Sequence, residues 1–107
     1  MKSLVVDANV AVKWFVPEDG ADIARSLLDP KFHLLAPSLL WIEIAAVAWK
    51  LRRRDLLTAD EAKALLRDAM ILPVEMVDTG ELLAEALSLA IRYDRTVYDS
   101  LYLALAV

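Results

Sequence analysis

Hydrophobic positions along the chain follow two different spacings. Short segments rich in apolar residues, at 3–6, 31–37 and 73–78, predict β-strands, because short continuous runs are typical of strands buried in a parallel sheet. Between them, apolar residues recur every three or four positions, which predicts helices with one buried face. Strands that alternate with helices indicate an α/β domain with a parallel sheet, in which ligands gather at the carboxyl ends of the strands.

Capping signals set the ends of the predicted helices. Ser38 is a plausible N-cap, Thr58 and Glu61 have the spacing of a capping box, and Pro17 ends the first helix. An apolar stripe in the fifth helix consists of Leu82, Leu83, Ala86, Leu87 and Ala90. The predicted helices cover residues 8–15, 19–28, 38–54, 57–72, 80–93 and from 96 onwards.

Chain length and hydropathy bound the size of the fold. A chain of 107 residues is long enough for one domain with a modest core, so we expect a single domain over 1–107. Its hydrophobic fraction of 59% is high for such a domain, which suggests that part of the apolar surface is buried against another chain or further sequence. The chain stops at Val107 inside an apolar helical pattern, and we therefore expect the domain to be incomplete at its C-terminus.

Composition excludes several classes of protein and site. No apolar run approaches the ~18 residues of a membrane span, and the N-terminus lacks a signal-peptide cleavage pattern, so we expect a soluble cytoplasmic protein without a membrane partner. The absence of cysteine excludes disulfides and thiolate metal sites, and two glycines are too few for Gly-rich phosphate loops. The single His33 lies in a predicted strand without a nucleophile elbow, which favours a structural role.

Three acidic residues lie in otherwise apolar segments: Asp7, Glu43 and Asp99. Asp7 could be the N-cap of the first helix. Asp99 could complete a capping box opened by Thr96 or pair with Arg95. Glu43 lies too deep in its helix for a cap and has no partner there, which leaves a tertiary salt bridge as its structural explanation. An unpaired buried carboxylate would cost several kcal/mol.

One hypothesis accounts for all three carboxylates together. Clustered carboxylates repel each other unless a cation lies among them, and hard ions such as Mg²⁺ and Mn²⁺ prefer oxygen ligands. A dry acidic pocket that holds such an ion can activate water and neutralise charge on a phosphate. Acidic clusters without His or Cys therefore favour phosphodiester chemistry over zinc-dependent hydrolysis.

The segments LVVDANVAVKWF, APSLLWIEIAAVAWKL and TVYDSLYLALA together resemble the PIN-domain nucleases, and most closely the VapC-type toxins of VapBC toxin–antitoxin systems. The resemblance implies a three-layer α/β/α sandwich and an Mg²⁺- or Mn²⁺-dependent ribonuclease. Asp7, Glu43 and Asp99 match the acidic metal-site positions of the family. Asn9 matches a polar position near the first of these acids.

The resemblance also implies partners. Members of this group form homodimers and are inhibited by a cognate antitoxin, whose C-terminal segment occupies the groove near the active site. They continue after the last helix of this chain into another strand, which carries a further acidic residue in a motif like T-x-D. We expect that strand to be missing here. A PIN-like protein-binding module with impaired catalysis and a nuclease with another nucleic-acid substrate are the alternatives.

Charge gives a weaker indication of an RNA-binding surface. The net charge of −4 argues weakly against a nucleic-acid partner, although basic residues cluster in the segment WKLRRRD. Such a cluster is also typical of a solvated helix C-terminus, where cations complement the helix dipole. The candidates for contacts with RNA phosphates are Lys50, Arg52, Arg53, Arg54, Arg92 and Arg95.

Overall fold

The computed structural model describes residues 2–16 and 19–106. Its sheet consists of the parallel strands β1 (Lys2–Val5), β2 (Phe32–Pro37) and β3 (Val74–Val77), in the order β1-β2-β3. The predicted parallel sheet is therefore confirmed. The carboxyl ends of the strands lie at one edge, where Asp7, Ser38 and Asp78 follow them in sequence.

Helices connect the strands and follow the last of them. They are α1 (Ala8–Lys13), α2 (Ala21–Ser26), α3 (Leu39–Arg53), α4 (Ala59–Met70), α5 (Thr79–Tyr93) and α6 (Val97–Ala106). The first two are shorter than the apolar pattern predicts, because a turn follows Lys13 and another follows Ser26. Pro17, predicted to end the first helix, lies outside the described residues.

Two predicted caps have different outcomes. Thr58 and Glu61 form the predicted capping box at the start of α4, with each side chain accepting from the backbone N–H of the other. Ser38 occupies the N-cap position of α3, but its side chain makes no cap hydrogen bond. The Leu39 N–H donates instead to Oγ1 of Thr79 at 2.8 Å. Thr79 belongs to α5, so the start of α3 is capped across the sheet edge rather than locally.

The sheet has helices on both faces. Leu34 and Ala36 of β2 are buried in one core with Leu40 and Ile44 of α3 and Leu65 of α4. Successive side chains of a strand point to opposite faces, so the intervening residues of β2 face the other way. On that second side α6 contacts β1 and β2 and packs against α5. This arrangement of a sheet between two helical layers is the predicted α/β/α sandwich.

The apolar stripe of α5 is buried only in part. Ala86 and Ala90 are buried as predicted, whereas Leu83 and Leu87 are 48% and 52% exposed. Ile91 lies one turn further along and is 75% exposed, so the three large side chains form an apolar strip on the surface. No helix in the described part of the chain is both long and apolar enough to cross a membrane.

Candidate active site

Asp7 follows β1 and begins α1. The Val10 N–H donates to its Oδ1 atom at 3.0 Å, so the N-cap interpretation of this residue is correct. This bond uses one carboxylate oxygen. Among the described residues Oδ2 has no hydrogen-bond partner, and it can bind a further group because Asp7 is exposed at the sheet edge.

Glu43 lies in the second turn of α3, and its partner comes from α6. The Tyr102 hydroxyl donates to Oε1 of Glu43 across 59 positions of sequence. The sequence left a tertiary salt bridge as the structural explanation, but the described residues show a neutral phenol in that position. Within the described part of the chain, no Lys, Arg or His side chain forms an ion pair with the Glu43 carboxylate.

Asp99 lies in the first turn of α6. Its N–H donates to Oγ1 of Thr96 at 3.0 Å, so Thr96 caps the helix as expected of a capping threonine. The Asp99 carboxylate is exposed, and no ion pair between it and Arg95 occurs in the described structure. Of the predicted capping box, the described structure shows the threonine half alone, and the Asp99 side chain remains available.

The three carboxylates line one cavity of about 600 Å³. Asp7 reaches it from the end of β1, Glu43 from α3 and Asp99 from α6. The cavity is also lined by Asn9, Lys50, Tyr102 and apolar residues of α3 and α6. We call it the carboxyl-end cavity, because it lies beside the carboxyl end of β1. The segments that sequence alone could not bring together therefore meet at one place.

The donor set of the cavity suits a hard divalent cation. It offers carboxylate and amide oxygens without histidine or cysteine, and Mg²⁺ and Mn²⁺ prefer such ligands. Within residues 2–16 and 19–106, however, no three acidic or histidine side chains are already close enough to hold an ion. A cation bound here would have to draw the carboxylates together, and rotation about the side-chain bonds of the exposed Asp7 and Asp99 allows this.

Burial and the neighbouring acids both affect the Tyr102 hydroxyl. Burial raises the pKa of its hydroxyl far above the ordinary value, and the hydrogen bond to Glu43 and the charges of Glu43 and Asp7 raise it further. The phenol therefore stays protonated and acts as a donor. Sequence analysis missed this residue, although its position one turn after Asp99 on the same helix could have indicated it.

The predicted basic residues are dispersed. Lys50 lines the cavity, whereas Arg52 forms an ion pair with Asp55 at 3.2 Å. Arg53 lies over the ring of Trp49 at 5.0 Å. The remaining candidates, Arg54, Arg92 and Arg95, are exposed at the ends of α3 and α5.

A second cation near the cavity was missed by sequence analysis. Lys13 lines an adjoining cavity of about 330 Å³, which shares Asn9 and Val47 with the first. The two cavities therefore adjoin at Asn9 of α1 and Val47 of α3. Lys50 lines the cavity that holds the three acids, and Lys13 lines its neighbour.

Comparison with known proteins agrees with the fold. The family model of the PIN domain matches residues 4–107. The chain is 34% identical over 105 residues to Ribonuclease VapC3 from Pyrobaculum aerophilum, a match that covers 96% of this chain and 80% of that protein. The residues matched by the family model include all those assigned above to the cavity.

Proposed function

The chain belongs to the PIN domain family, and on that premise we propose that it is a metal-dependent endoribonuclease of the VapC toxin type. The observation that carries the proposal is the convergence of Asp7, Glu43 and Asp99 on one cavity. The name of its relative, a ribonuclease, supports RNA as the substrate.

The cavity residues have distinct proposed roles. Asp7 and Asp99 are the principal ligands of an Mg²⁺ or Mn²⁺ ion, and Glu43 is a further ligand or orients the attacking water. Asn9 is a polar group at the rim of the same site. When bound, the ion supplies activation of water and neutralisation of the charge that develops on the scissile phosphate.

Lys50 is the best candidate for contact with an RNA phosphate, because it lines the cavity with the acids. Its positive charge would offset the repulsion between a phosphodiester and three carboxylates. The Arg candidates, which are not among the residues that line the cavity, lie at and just beyond the ends of α3 and α5 and would extend this contact along the RNA backbone. We place the reaction in the cytoplasm, where RNA is available.

Protein partners complete the proposal. We propose a homodimer and a cognate antitoxin that covers the carboxyl-end cavity. Exposed apolar side chains support the existence of such contacts, notably Leu83, Leu87 and Ile91 on α5 and Ile42 and Trp49 on α3. Light scattering of the purified protein measures the stoichiometry, and a dimer is the expected result.

Cleavage of RNA tests the proposed activity. Wild-type protein should cut single-stranded RNA with Mg²⁺ or Mn²⁺ and lose activity with a chelator, and Asp99→Asn should lower the rate by about 100-fold or more. Asp94→Asn is the matched control, because Asp94 is an exposed aspartate outside the cavity with a left-handed φ of 53°, which asparagine also adopts.

The outcomes separate the alternatives. Undiminished cleavage by Asp99→Asn would contradict the assignment of the site. Failure of the wild type to cut any RNA, together with tight binding of a partner protein, would favour a PIN-like binding module. Equal cleavage of RNA and DNA of identical sequence would indicate a nuclease of broader substrate range.

A further inference from the structure

The contact between Tyr102 and Glu43 joins two of the helices that form the cavity. Glu43 comes from α3 and Tyr102 from α6, and both line the carboxyl-end cavity. Ser100 and Leu101, which precede Tyr102, are 0% and 2% exposed and fix α6 against the rest of the fold. The phenol is therefore held in place by its own helix rather than by the glutamate.

The hydrogen bond changes what Glu43 can offer to a cation. A free carboxylate has two oxygens and can bind an ion through one or both. Oε1 of Glu43 accepts from the Tyr102 hydroxyl, so one oxygen is engaged and Oε2 is left for another ligand. Among the described residues Oε2 has no hydrogen-bond partner.

Binding through one or two oxygens matters differently to different ions. Ca²⁺ accepts six to eight oxygens in flexible geometry and commonly takes a glutamate through both oxygens, with about 2.3–2.6 Å to each. Mg²⁺ requires near-octahedral geometry at about 2.0–2.1 Å, which suits one oxygen from each carboxylate. A glutamate restricted to one oxygen therefore favours the smaller ion.

We propose that Tyr102 is a positioning residue that sets the metal selectivity of the site, by holding Glu43 so that a single oxygen faces the cation. This inference rests on the proposed function, since it requires Glu43 to act as a metal ligand. The inference goes beyond the proposed function because it gives Tyr102 a role in discrimination between Mg²⁺ or Mn²⁺ and Ca²⁺.

Calorimetric titration with Mg²⁺, Mn²⁺ and Ca²⁺ tests the inference without reference to activity. Tyr102→Phe removes the hydroxyl and keeps the ring. We expect the Kd for Mn²⁺ to rise by about tenfold, the lower end of the range for loss of a group that orients a metal ligand. The Kd for Ca²⁺ should stay constant or fall, so the ratio of the two constants shifts towards Ca²⁺ by about tenfold or more.

Two controls distinguish selectivity from a general loss of structure. Tyr98→Phe makes the same chemical change on α6 at a side chain that is 66% exposed, and it should leave all three constants unchanged. In a Glu43→Gln background, Tyr102→Phe should no longer change the ratio, because the two residues act as a unit. Circular dichroism melting curves check that each variant is folded.

The results identify which claim fails. A parallel change of the Mn²⁺ and Ca²⁺ constants in Tyr102→Phe, or no change in either, overturns the selectivity role while the metal site stands. Absence of Mn²⁺ binding to the wild type at millimolar concentration contradicts the metal site itself and the selectivity role with it.

Discussion

Two polar clusters lie at opposite ends of the same sheet. The amino-end cluster consists of Ser3, His33 and Glu75, each the second residue of its strand. Nδ1 of His33 lies 3.3 Å from Oγ of Ser3, and Nε2 lies 3.3 Å from Oε2 of Glu75. These side chains are therefore one another's polar partners across the three strands, at the protein surface.

The carboxyl-end cavity differs in how its charges are arranged. Asp7, Glu43 and Asp99 come from three elements and face a common space, with Lys50 as a cation in the lining. None of the three makes an ion pair in the described part of the chain. The side chains of the amino-end cluster thus pair with one another, whereas the three acids of the carboxyl-end cavity converge on one space without forming ion pairs.

Matched substitutions of the two glutamates give the largest expected difference. Glu43→Gln should lower the rate of RNA cleavage by about 100-fold, because an amide is a weak ligand for a hard cation. Glu75→Gln makes the same change in the amino-end cluster and should leave the rate within about twofold, as expected for an exposed residue remote from the site. The measurement is the initial rate with Mg²⁺.

Equal losses of activity in the two glutamine variants would contradict this distinction. Both proteins should retain the wild-type far-ultraviolet circular dichroism, since the amide oxygen introduced by Glu43→Gln can still accept from the Tyr102 hydroxyl.

Asp7 combines a structural and a proposed chemical role, and two substitutions separate them. Asp7→Ser keeps a capping oxygen, whereas Asp7→Ala removes it, and the alanine variant should be less stable than the serine variant by about 1 kcal/mol. Both remove the same charge, so their difference isolates the cap. Urea unfolding in the presence of a chelator measures the free energy of unfolding.

Cleavage should be lost to the same extent in both Asp7 variants, because both lack the carboxylate. Retention of activity in Asp7→Ser alone would mean that Asp7 acts through the helix cap and that the carboxylate is not a metal ligand.

The smallest effect is expected in the amino-end cluster. His33→Gln removes the contact with Glu75, whose side chain is 59% exposed, and pairs of this kind contribute less than about 1 kcal/mol. The free energy of unfolding should therefore fall by less than that amount, and RNA cleavage should be unchanged. A larger fall in the free energy of unfolding would contradict the weak contribution expected of this surface pair. A change in RNA cleavage would show that the two ends of the sheet are energetically coupled.

Local signals predicted much of the fold. The three strands and the capping box of Thr58 and Glu61 follow from residues within a few positions of each other. Contacts between distant segments could not be predicted in the same way. Thr79 caps α3 across 40 positions, and Tyr102 reaches Glu43 across 59. The local pattern places Tyr102 one turn after Asp99, but nothing in it identifies the distant residue that either hydroxyl group contacts.

In the candidate site, too, local features could be predicted from the sequence and contacts between distant segments could not. The sequence identified Asp7, Glu43 and Asp99 because each is an acid in an apolar segment. The spacing of these acids along the chain could not show that they share a cavity. On α5, helical periodicity correctly predicted a buried face and could not locate its edge. Leu83 and Leu87 lie beyond that edge because the core contacts the side of the helix that carries Ala86 and Leu89.

Localised cleavage of the polypeptide by a bound redox-active ion tests the central claim most directly. Fe²⁺ would replace Mg²⁺ in the protein, ascorbate and peroxide would generate hydroxyl radicals at the ion, and mass spectrometry would locate the cuts. We expect cuts near residues 7, 43 and 99 in the same protein, suppressed by excess Mg²⁺. Cuts concentrated near His33 and Glu75, or cuts that Mg²⁺ does not suppress, would contradict a single cation site formed by the three carboxylates.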